Sequence, residues 1–182
     1  MKKVVINKRQ YSGDNNQSQD DVPLKEKVWA FLVIKKAEYN TWHDRRVNKD
    51  KKVLDLWFED IPDNISARIF SVYTKGGDEL AITEVFRFAN AGIKSANAVD
   101  GEDEKYVVEI DDNPVNLIGK RIAVYPYKNG KYWQIYNRVA PAEPFENPLE
   151  KMTDDIINYT MLKAESDFEQ YVEPKLYQNR TR

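Results

Sequence analysis

Cysteine is absent from this chain of 182 residues, and histidine occurs only once, as His43. The lack of cysteine excludes a disulfide framework and thiolate metal sites. A single histidine leaves almost no scope for a zinc site or for histidine acid–base catalysis. The sequence also has no phosphate-binding glycine loop, nucleophile elbow or paired glycosidase motif. We therefore predict a protein that is not an enzyme and that needs no cofactor or metal.

Long apolar runs are also missing. No stretch approaches the roughly 20 apolar residues of a membrane span, and the opening MKKVVINKRQ has neither a long apolar region nor a small-residue cleavage site. We expect a soluble, cytoplasmic protein without membrane contact. The chain is 41% hydrophobic and 32% charged, and its length suits one substantial domain with extensions.

Charge is unevenly distributed, although the net charge is only −2. Met1–Lys52 holds 13 basic and 7 acidic residues, a net charge of +6, whereas Glu143–Glu173 holds 2 basic and 9 acidic residues, a net charge of −7. This asymmetry suggests a basic binding end and an acidic, partner-facing end. A locally charged helix surface is the alternative for the acidic segment.

The stretch Arg121–Val139 carries the strongest structural signal. Two runs rich in Val, Ile, Tyr and Trp flank Asn129-Gly130, the pair preferred in two-residue hairpin loops of type I′. With this loop, Lys128 pairs with Lys131 and the register follows outward. Because side chains alternate between faces, one face is largely aliphatic plus tryptophan, and the other carries four tyrosines above a pair of arginines.

The tyrosine-rich face of this hairpin is predicted to bind single-stranded nucleic acid. Flat rings offer surfaces for base stacking, and cations at the fringe offer phosphate contacts. The alternative is a solvent-facing sheet in which tyrosine serves as a good strand former. The hairpin residues assigned to binding are Arg121, Tyr125, Tyr127, Lys128, Lys131, Tyr132, Tyr136 and Arg138.

Upstream patterns predict three consecutive strands, a helix and a further short strand. The strands cover Val28–Tyr39, Val53–Asp60 and Ala67–Thr74, the helix covers Glu79–Ala91, and the short strand covers Tyr106–Ile110.

The predicted helix has clear boundaries and one core-facing side. Asp78 is the candidate N-cap, and Gly92 is the candidate residue after the helix end. Its apolar residues recur at i, i+3, i+4 and i+7. They are Ile82, Val85, Phe86 and Ala89.

A basic loop, Asn40–Lys52, is predicted between the first two strands. Its tryptophan, Trp42, either stacks on a ligand or folds inward as an anchor; both alternatives stay open. On the second strand, Trp57 lies opposite the apolar face. The binding residues assigned to this part of the chain are Trp42, Arg45, Arg46, Lys49, Lys51, Lys52 and Trp57.

Five strands with a helix between the third and fourth is the order of an oligonucleotide-binding (OB) barrel. In that fold, the loop between strands one and two and the turn between strands four and five flank the binding face, which is where the basic loop and the lysine-flanked turn fall. We predict a mainly β fold: a five-stranded OB-like barrel with a helix between strands 3 and 4 and a C-terminal helix. A generic small barrel is the alternative.

The predicted organisation has four parts. Residues 1–22 form a flexible arm, 23–140 the OB-like barrel, 141–151 a proline-rich connector, and 152–182 the C-terminal helix and tail. Within the last part, Met152–Val172 is predicted to be helical, with Thr153 as N-cap. Its apolar stripe comprises Ile157, Met161, Ala164, Phe168 and Tyr171. This helix either packs back on the domain or binds a partner, so a homo-oligomer stays open.

Four short motifs occur in a recognisable order along the chain. They are Val22-Pro23 before a strand at Val28–Glu38, the alternating Val53–Phe58, Ala91-Gly92-Ile93, and Leu117-Ile118-Gly119-Lys120. Over about Val22–Ala142, the chain resembles a family of phage-encoded OB-fold proteins that bind single-stranded DNA and are found beside recombination and replication genes. The resemblance implies sequence-independent strand binding in phage DNA replication or recombination, in the host cell cytoplasm.

The C-terminus departs from that family. Single-stranded-DNA-binding proteins often end in an acidic tip with a terminal aromatic residue, which recruits other replication proteins. This chain ends in Arg180-Thr181-Arg182, and its acidity lies within Glu143–Glu173. The departure argues against recruitment through the tail and leaves residues 143–173 as the candidate surface for replication or recombination proteins.

Two other functions compete with strand binding. Asp55, Glu59 and Asp60 suggest a two-metal nuclease, although edge charges that deter aggregation explain them as well. A protein-binding module, such as a phage inhibitor of a host or defence protein, would use the same tyrosine-rich face, because tyrosine and arginine dominate protein hot spots. The acidic final helix favours that module, and the basic loop and turn favour DNA.

Overall fold

A computed structural model describes residues 22–74, 79–99 and 102–180. The predicted N-terminal arm, apart from Val22, and the candidate N-cap Asp78 lie outside the described residues. The strands are β1 Ala30–Asp44, β2 Lys49–Phe58, β3 Ala67–Phe70, β4 Ile93–Val99, β5 Glu102–Ile110, β6 Arg121–Val124, β7 Pro126–Asn129, β8 Tyr132–Ile135, β9 Ala140–Pro141, β10 Phe145–Glu146 and β11 Lys151–Met152. The α-helices are α1 Ala81–Phe88, α2 Asp154–Tyr171 and α3 Glu173–Arg180, and a 3₁₀ turn covers Pro114–Leu117.

The largest sheet has five antiparallel strands in the order β3-β2-β1-β6-β9. Three two-stranded sheets, β4-β5, β7-β8 and β10-β11, accompany it. The protein is therefore mainly β with helices, as predicted. The sheet is not closed into a barrel, because within the described part of the chain no backbone pairing joins β3 to β8. The OB-like barrel stays a prediction.

Strand β1 is the centre of the sheet and pairs on both sides. Ala30–Val33 pairs with β6, and Ile34–Asp44 pairs with β2. The register shifts between Ile34 and Lys36, which marks a bulge that bends the strand and increases its twist. The predicted first strand, Val28–Tyr39, is confirmed, although it begins at Ala30 and runs five residues beyond Tyr39.

The main core lies between the inner face of this sheet and α1. The predicted helix stripe is confirmed: Ile82, Val85, Phe86 and Ala89 are all buried. The helix is shorter than predicted and ends in a Schellman motif, in which the amide of Ala91 donates to the carbonyl of Phe86 at 2.9 Å.

Two of the helix-boundary predictions need correction. The left-handed residue after the helix is Asn90, with a φ of 52°, because asparagine tolerates this conformation. Gly92 also has a positive φ, 70°, but its role is a close approach to β5, where its carbonyl accepts from the amide of Asp111 at 2.8 Å. The N-cap position is Leu80, whose side chain forms no capping hydrogen bond.

The structure contains a two-stranded hairpin, β4-β5, of which only the second strand was predicted. The predicted strand Tyr106–Ile110 is extended to Glu102–Ile110, and it pairs with Ile93–Val99, which was not predicted to be a strand. The sequence IKSANAV has little of the apolar alternation that indicates a strand. The third strand is shorter than predicted, ending at Phe70 rather than Thr74.

The hairpin β7-β8 exists, but its predicted loop is wrong. Asn129 pairs with Tyr132, and Tyr127 pairs with Gln134, so the two-residue loop is Gly130-Lys131. Only the first loop residue has a positive φ, 64° at Gly130, as in a type II′ turn. Each residue therefore pairs two positions away from its predicted partner. Because side chains alternate between faces with a period of two, each face of the hairpin keeps its predicted side chains.

The predicted C-terminal helix is α2, which packs back on this hairpin. Thr153 is its N-cap, as predicted, and accepts from the amide of Ile156 at 3.3 Å. Of the predicted stripe, Ile157, Ala164 and Phe168 are buried. Tyr171 is 53% exposed, because it falls at the last residue of the helix. The predicted extended connector before α2 instead folds into the small β10-β11 sheet.

A second hydrophobic cluster forms where α2 meets the hairpin. The ring of Phe168 is fully buried and lies 5.2, 4.9 and 5.4 Å, between ring centroids, from Tyr125, Tyr127 and Tyr136. The observed register makes this possible, because the carbonyl of Tyr125 accepts from the amide of Tyr136 at 2.9 Å and sets these two side by side. The expectation of an open tyrosine face is therefore wrong.

We expect Phe168→Ala to destabilise the protein by about 3–5 kcal/mol, because it leaves a cavity among three tyrosines. Chemical denaturation followed by circular dichroism measures this loss. Leu162→Ala on the same helix is the matched control: Leu162 is 64% exposed, and its loss should be within about 0.5 kcal/mol. Equal effects of the two substitutions would contradict the packing of α2 on the hairpin.

We expect Gly92→Ala to be more destabilising than Gly119→Ala. Both glycines have a positive φ, 70° and 85°, so alanine carries a backbone strain of about 1–2 kcal/mol at either position. At Gly92, the added Cβ would also lie 2.3 Å from the carbonyl oxygen of Asp111, whereas at Gly119 it would meet nothing within 4 Å. Thermal unfolding of both variants checks the order, and a smaller loss for Gly92→Ala would refute it.

Candidate nucleic-acid interface

One face of β1, β2 and β3 points away from the main core. Pairing of β1 with β2 places Lys36 beside Trp57, and pairing of β2 with β3 places Asp55 beside Arg68. Because side chains alternate along a strand, every second residue shares this face. We define the outer sheet face by its aromatic and basic residues: Lys36, Trp42, Lys51, Trp57, Arg68 and Phe70.

Aromatic rings on the outer sheet face are half-buried and lie close to each other or to a cation. Trp42 meets Phe70 edge-on, with 5.3 Å between ring centroids and an interplanar angle of 77°. The Nζ atom of Lys36 lies 4.7 Å from the ring centroid of Trp57. Trp42 therefore packs on the sheet and still leaves part of its ring accessible. The face offers flat surfaces held in fixed positions by the sheet.

Arg68 is fixed on this face by a buried carboxylate. Its Nε and Nη2 atoms donate to the two oxygens of Asp55 at 2.8 and 2.9 Å, and Asn40 donates to the same carboxylate at 2.8 Å. Burial by itself would raise the pKa of Asp55, but the hydrogen bonds from Arg68 and Asn40 outweigh it and hold the pKa below its ordinary value. Asp55 thus stays charged and orients the guanidinium group.

The predicted basic loop Asn40–Lys52 is wrong as a loop, because most of it continues β1 and β2 and only residues 45–48 form the turn. Asn48, with a φ of 52°, allows so tight a reversal. Arg46 and Lys51 both contact the buried carboxylate of Asp44, at 3.3 and 3.1 Å. The hydrogen bond from Arg46 is the main reason that the pKa of Asp44 falls to about 2.

Lysine and arginine at this turn differ in their availability. Arg45 and Lys49 are exposed, whereas Arg46 and Lys51 are held by Asp44. The turn therefore keeps cations at the end of the outer sheet face, as the sequence predicted, although two of the four serve its own folding.

A groove of about 560 Å³ separates β3 from the hairpin β7-β8. Its aromatic lining includes Phe70 from the outer sheet face and Tyr132, which is 58% exposed. Its polar lining includes Arg68 and Gln134. The groove lies where an unclosed sheet leaves a gap, and it continues the outer sheet face toward the hairpin tip.

Two of the four predicted stacking tyrosines are buried, and a third is half-buried. Tyr125 and Tyr136 are 4% and 8% exposed, and Tyr127 is half-buried. Burial, reinforced by nearby glutamates of α2, raises the pKa of Tyr125 to about 12, and burial also raises the pKa of Tyr127. Tyr125 and Tyr136 are core groups, and Tyr127 packs against them at the edge of the same cluster. Tyr132 alone of the four lies open at the surface.

The other basic residues that were predicted to contact phosphate do not lie together on one surface. The Nζ atom of Lys52 lies 4.1 Å from the ring centroid of Tyr39, on the inner side of β2. Arg138 lies between Asp167 at 3.5 Å and Glu84 at 3.8 Å, so it ties α2 to the domain. Three further predicted cations lie elsewhere: Arg121 is exposed on β6, Lys128 is half-buried over Trp133, and Lys131 is exposed in the hairpin loop.

Sequence reasoning missed Lys36, Arg68 and Gln134 and left the orientation of Phe70 undecided. Alternation in Ala67–Phe70 places Arg68 and Phe70 on one face, but both faces of this strand contain apolar residues. A partial signal was available in Asp55, because a carboxylate in the middle of an apolar strand requires a basic partner on the neighbouring strand.

Acidic side chains of the described residues form no metal site. Asp55 is committed to Arg68, and no group of three or more His, Asp or Glu side chains in the described ranges could hold a metal ion. Likewise, none of the helices within those ranges is long and apolar enough to cross a membrane.

Comparison with known protein families, curated proteins and solved structures finds no match to this chain. The resemblance to phage single-stranded-DNA-binding proteins therefore stays a prediction.

We expect Asp55→Asn to lower the stability by about 1–3 kcal/mol at neutral pH, because it removes the charge that Arg68 and Asn40 bind. The pKa of Asp55 is lowered in the folded state, so its contribution is present above the ordinary pKa of about 4 and is lost as the pH falls. The deficit of the variant should therefore shrink below about pH 4.

Thermal unfolding between pH 3 and 7 measures this dependence. Asp63→Asn is the control, since the Lys35–Asp63 pair is exposed and should contribute little at any pH. A deficit of Asp55→Asn that stays constant with pH would contradict a charged carboxylate at this position.

Proposed function

We propose that this protein binds single-stranded DNA, mainly by sequence-tolerant base stacking, through the outer sheet face and the groove beside it. The observation that carries the proposal is the pair of half-buried rings Trp42 and Phe70, which lies across the groove from the exposed Tyr132. Trp57 adds a half-buried ring further along the same face, beside Lys36. Aromatic rings held by a sheet are the stacking surface of proteins that bind single strands. The resemblance to phage proteins suggests replication or recombination as the setting.

The free energy of base stacking supports binding on these aromatic rings. Each stacked base contributes about 1–3 kcal/mol, and the contribution is tolerant of sequence because every base has a flat face. The proposed stacking surface is the outer sheet face, because α2 covers the tyrosines around Phe168. Tyr132 was predicted to stack from the sequence and also lines the groove beside this face.

Phosphate contacts come from cations at both ends of this surface. Arg45 and Lys49 are exposed at the β1-β2 turn, and Lys131 is exposed in the hairpin loop. Lys36, which is exposed as well, lies along the outer sheet face. Four such contacts would give a salt dependence with a slope of about −3 in a plot of log affinity against log salt concentration, at roughly 0.7 per contact.

Strand order adds support for the OB-like interpretation. The order β3-β2-β1-β6, with β1 bent so that it pairs on both sides, agrees with an OB barrel in which the contact between β3 and the last strand has been opened. OB folds bind strands across the face of β2 and β3 and between two flanking loops. The outer sheet face, the β1-β2 turn and the β7-β8 loop occupy the equivalent places.

A protein-binding role is the second candidate, and one observation favours it. Ile156, Tyr159 and Leu162 are 44%, 63% and 64% exposed along the outer side of α2, within the acidic segment. Apolar and tyrosine side chains on an exposed helix are typical of a contact with another protein. This role would leave the outer sheet face unused.

Fluorescence anisotropy with labelled oligo-dT and a matched duplex, titrated over salt, tests the proposal. We expect the single strand to bind more tightly than the duplex, with affinity falling as salt rises. Trp42→Ala and Tyr132→Ala should each weaken binding by about 5- to 160-fold, the loss of one stacked base.

Tyr159→Ala is the matched control, since it removes an exposed tyrosine from α2. It should leave DNA binding unchanged. No binding of oligo-dT at low salt would refute the proposal. A loss with Tyr159→Ala equal to that with Tyr132→Ala would move the interface to α2.

A further inference from the structure

The groove between β3 and β8 combines aromatic walls with a fixed hydrogen-bond donor. Phe70 and Tyr132 are part of its lining, and Arg68 and Gln134 supply polar groups. Its volume of about 560 Å³ falls within the range of small-ligand sites. A base of a strand bound on the outer sheet face has room to enter here.

Arg68 presents a defined pair of N–H groups. Its Nε atom and one hydrogen of Nη2 are used by Asp55, at 2.8 and 2.9 Å. The guanidinium group has five N–H donors in a planar fork, so the end formed by Nη1 and the second hydrogen of Nη2 remains. Nη1 makes no hydrogen bond to any residue in the described parts of the chain, and the Arg68 side chain is 43% exposed.

The remaining fork matches one base better than the others. Two parallel N–H donors from an arginine fit the O6 and N7 acceptors of guanine, which lie side by side on its edge. Adenine has an amino group beside N7, and cytosine and thymine lack N7. Because Asp55 fixes the plane of the guanidinium group, little conformational entropy is lost on binding.

We propose that this groove binds one guanine base of the strand, with Arg68 donating to O6 and N7 and with Phe70 and Tyr132 flanking the ring. The inference rests on the proposed strand binding and adds a base preference at one position to it. Asp55 acts through Arg68 and is a positioning residue. Gln134 is a second polar group within reach of the same groove.

Anisotropy with oligo-dT of 15 nucleotides that carries one central G, A or C, or 7-deazaguanine, tests the proposal. We expect the G-containing strand to bind about 5- to 100-fold more tightly than the others. 7-Deazaguanine keeps the ring and O6 but lacks the N7 acceptor, so it should lose most of this preference.

Variants locate the preference. Arg68→Lys keeps the charge but not the fork, so it should abolish the preference for G, measured within the variant as the ratio of its affinities for the G-containing strand and for oligo-dT. Arg45→Lys at the exposed turn is the matched control and should keep the preference. Asp55→Asn should reduce it, since the guanidinium plane is no longer fixed, and circular dichroism verifies that each variant is folded.

Equal binding of all the substituted strands by the wild-type protein overturns the guanine site but leaves the proposed strand binding in place. A preference that survives in Arg68→Lys overturns the assignment to Arg68. If Arg68→Lys does not fold, the comparison of guanine with 7-deazaguanine on the wild-type protein decides. No binding of any strand at low salt overturns both proposals.

Discussion

The two-sided pairing of β1 is the constraint on which the rest of the structure depends. The first residues of β1, Ala30–Val33, pair with β6, and the residues from Ile34 onward pair with β2. The bulge between Ile34 and Lys36 lies where the strand changes partner. A bulge bends a strand and increases its twist, so the β1-β2-β3 part and the β6-hairpin part turn toward each other without joining. The groove between β3 and β8 is the consequence. A flat β1 would give neither the bend nor the groove.

Coverage of the hairpin by α2 decides which aromatic rings are available. Phe168 packs against three tyrosines, and the contacts of Trp29 with Glu165 at 2.9 Å and of Arg138 with Asp167 at 3.5 Å hold the helix at both sides of that cluster. Burying large rings is worth more than leaving them in water. The hairpin therefore stabilises the domain, and partly solvent-accessible aromatic rings remain on the outer sheet face.

The basic side chains of the domain fall into two groups: some pair with buried carboxylates and stabilise the fold, and others are available to a ligand. Arg46, Lys51 and Arg138 each contact a carboxylate that is almost completely buried. Arg68 belongs to both groups, because its pairing with Asp55 uses only one side of its planar fork. Such an arrangement gives the donor a fixed direction, which a freely moving surface arginine lacks.

Local chemistry determined the central strand, the α1 stripe, the Thr153 cap and the faces of the hairpin, because periodicity and capping depend on neighbouring residues alone. Three predictions failed because they depended on pairing between strands: the position of the β7-β8 loop, the missed strand Ile93–Val99, and the basic segment Asn40–Lys52, which continues β1 and β2. Only the tertiary structure decided that tyrosines would be core and that Phe70 and Arg68 would face outward. Residues far apart in sequence compete to bury the same rings, and that competition leaves no local pattern.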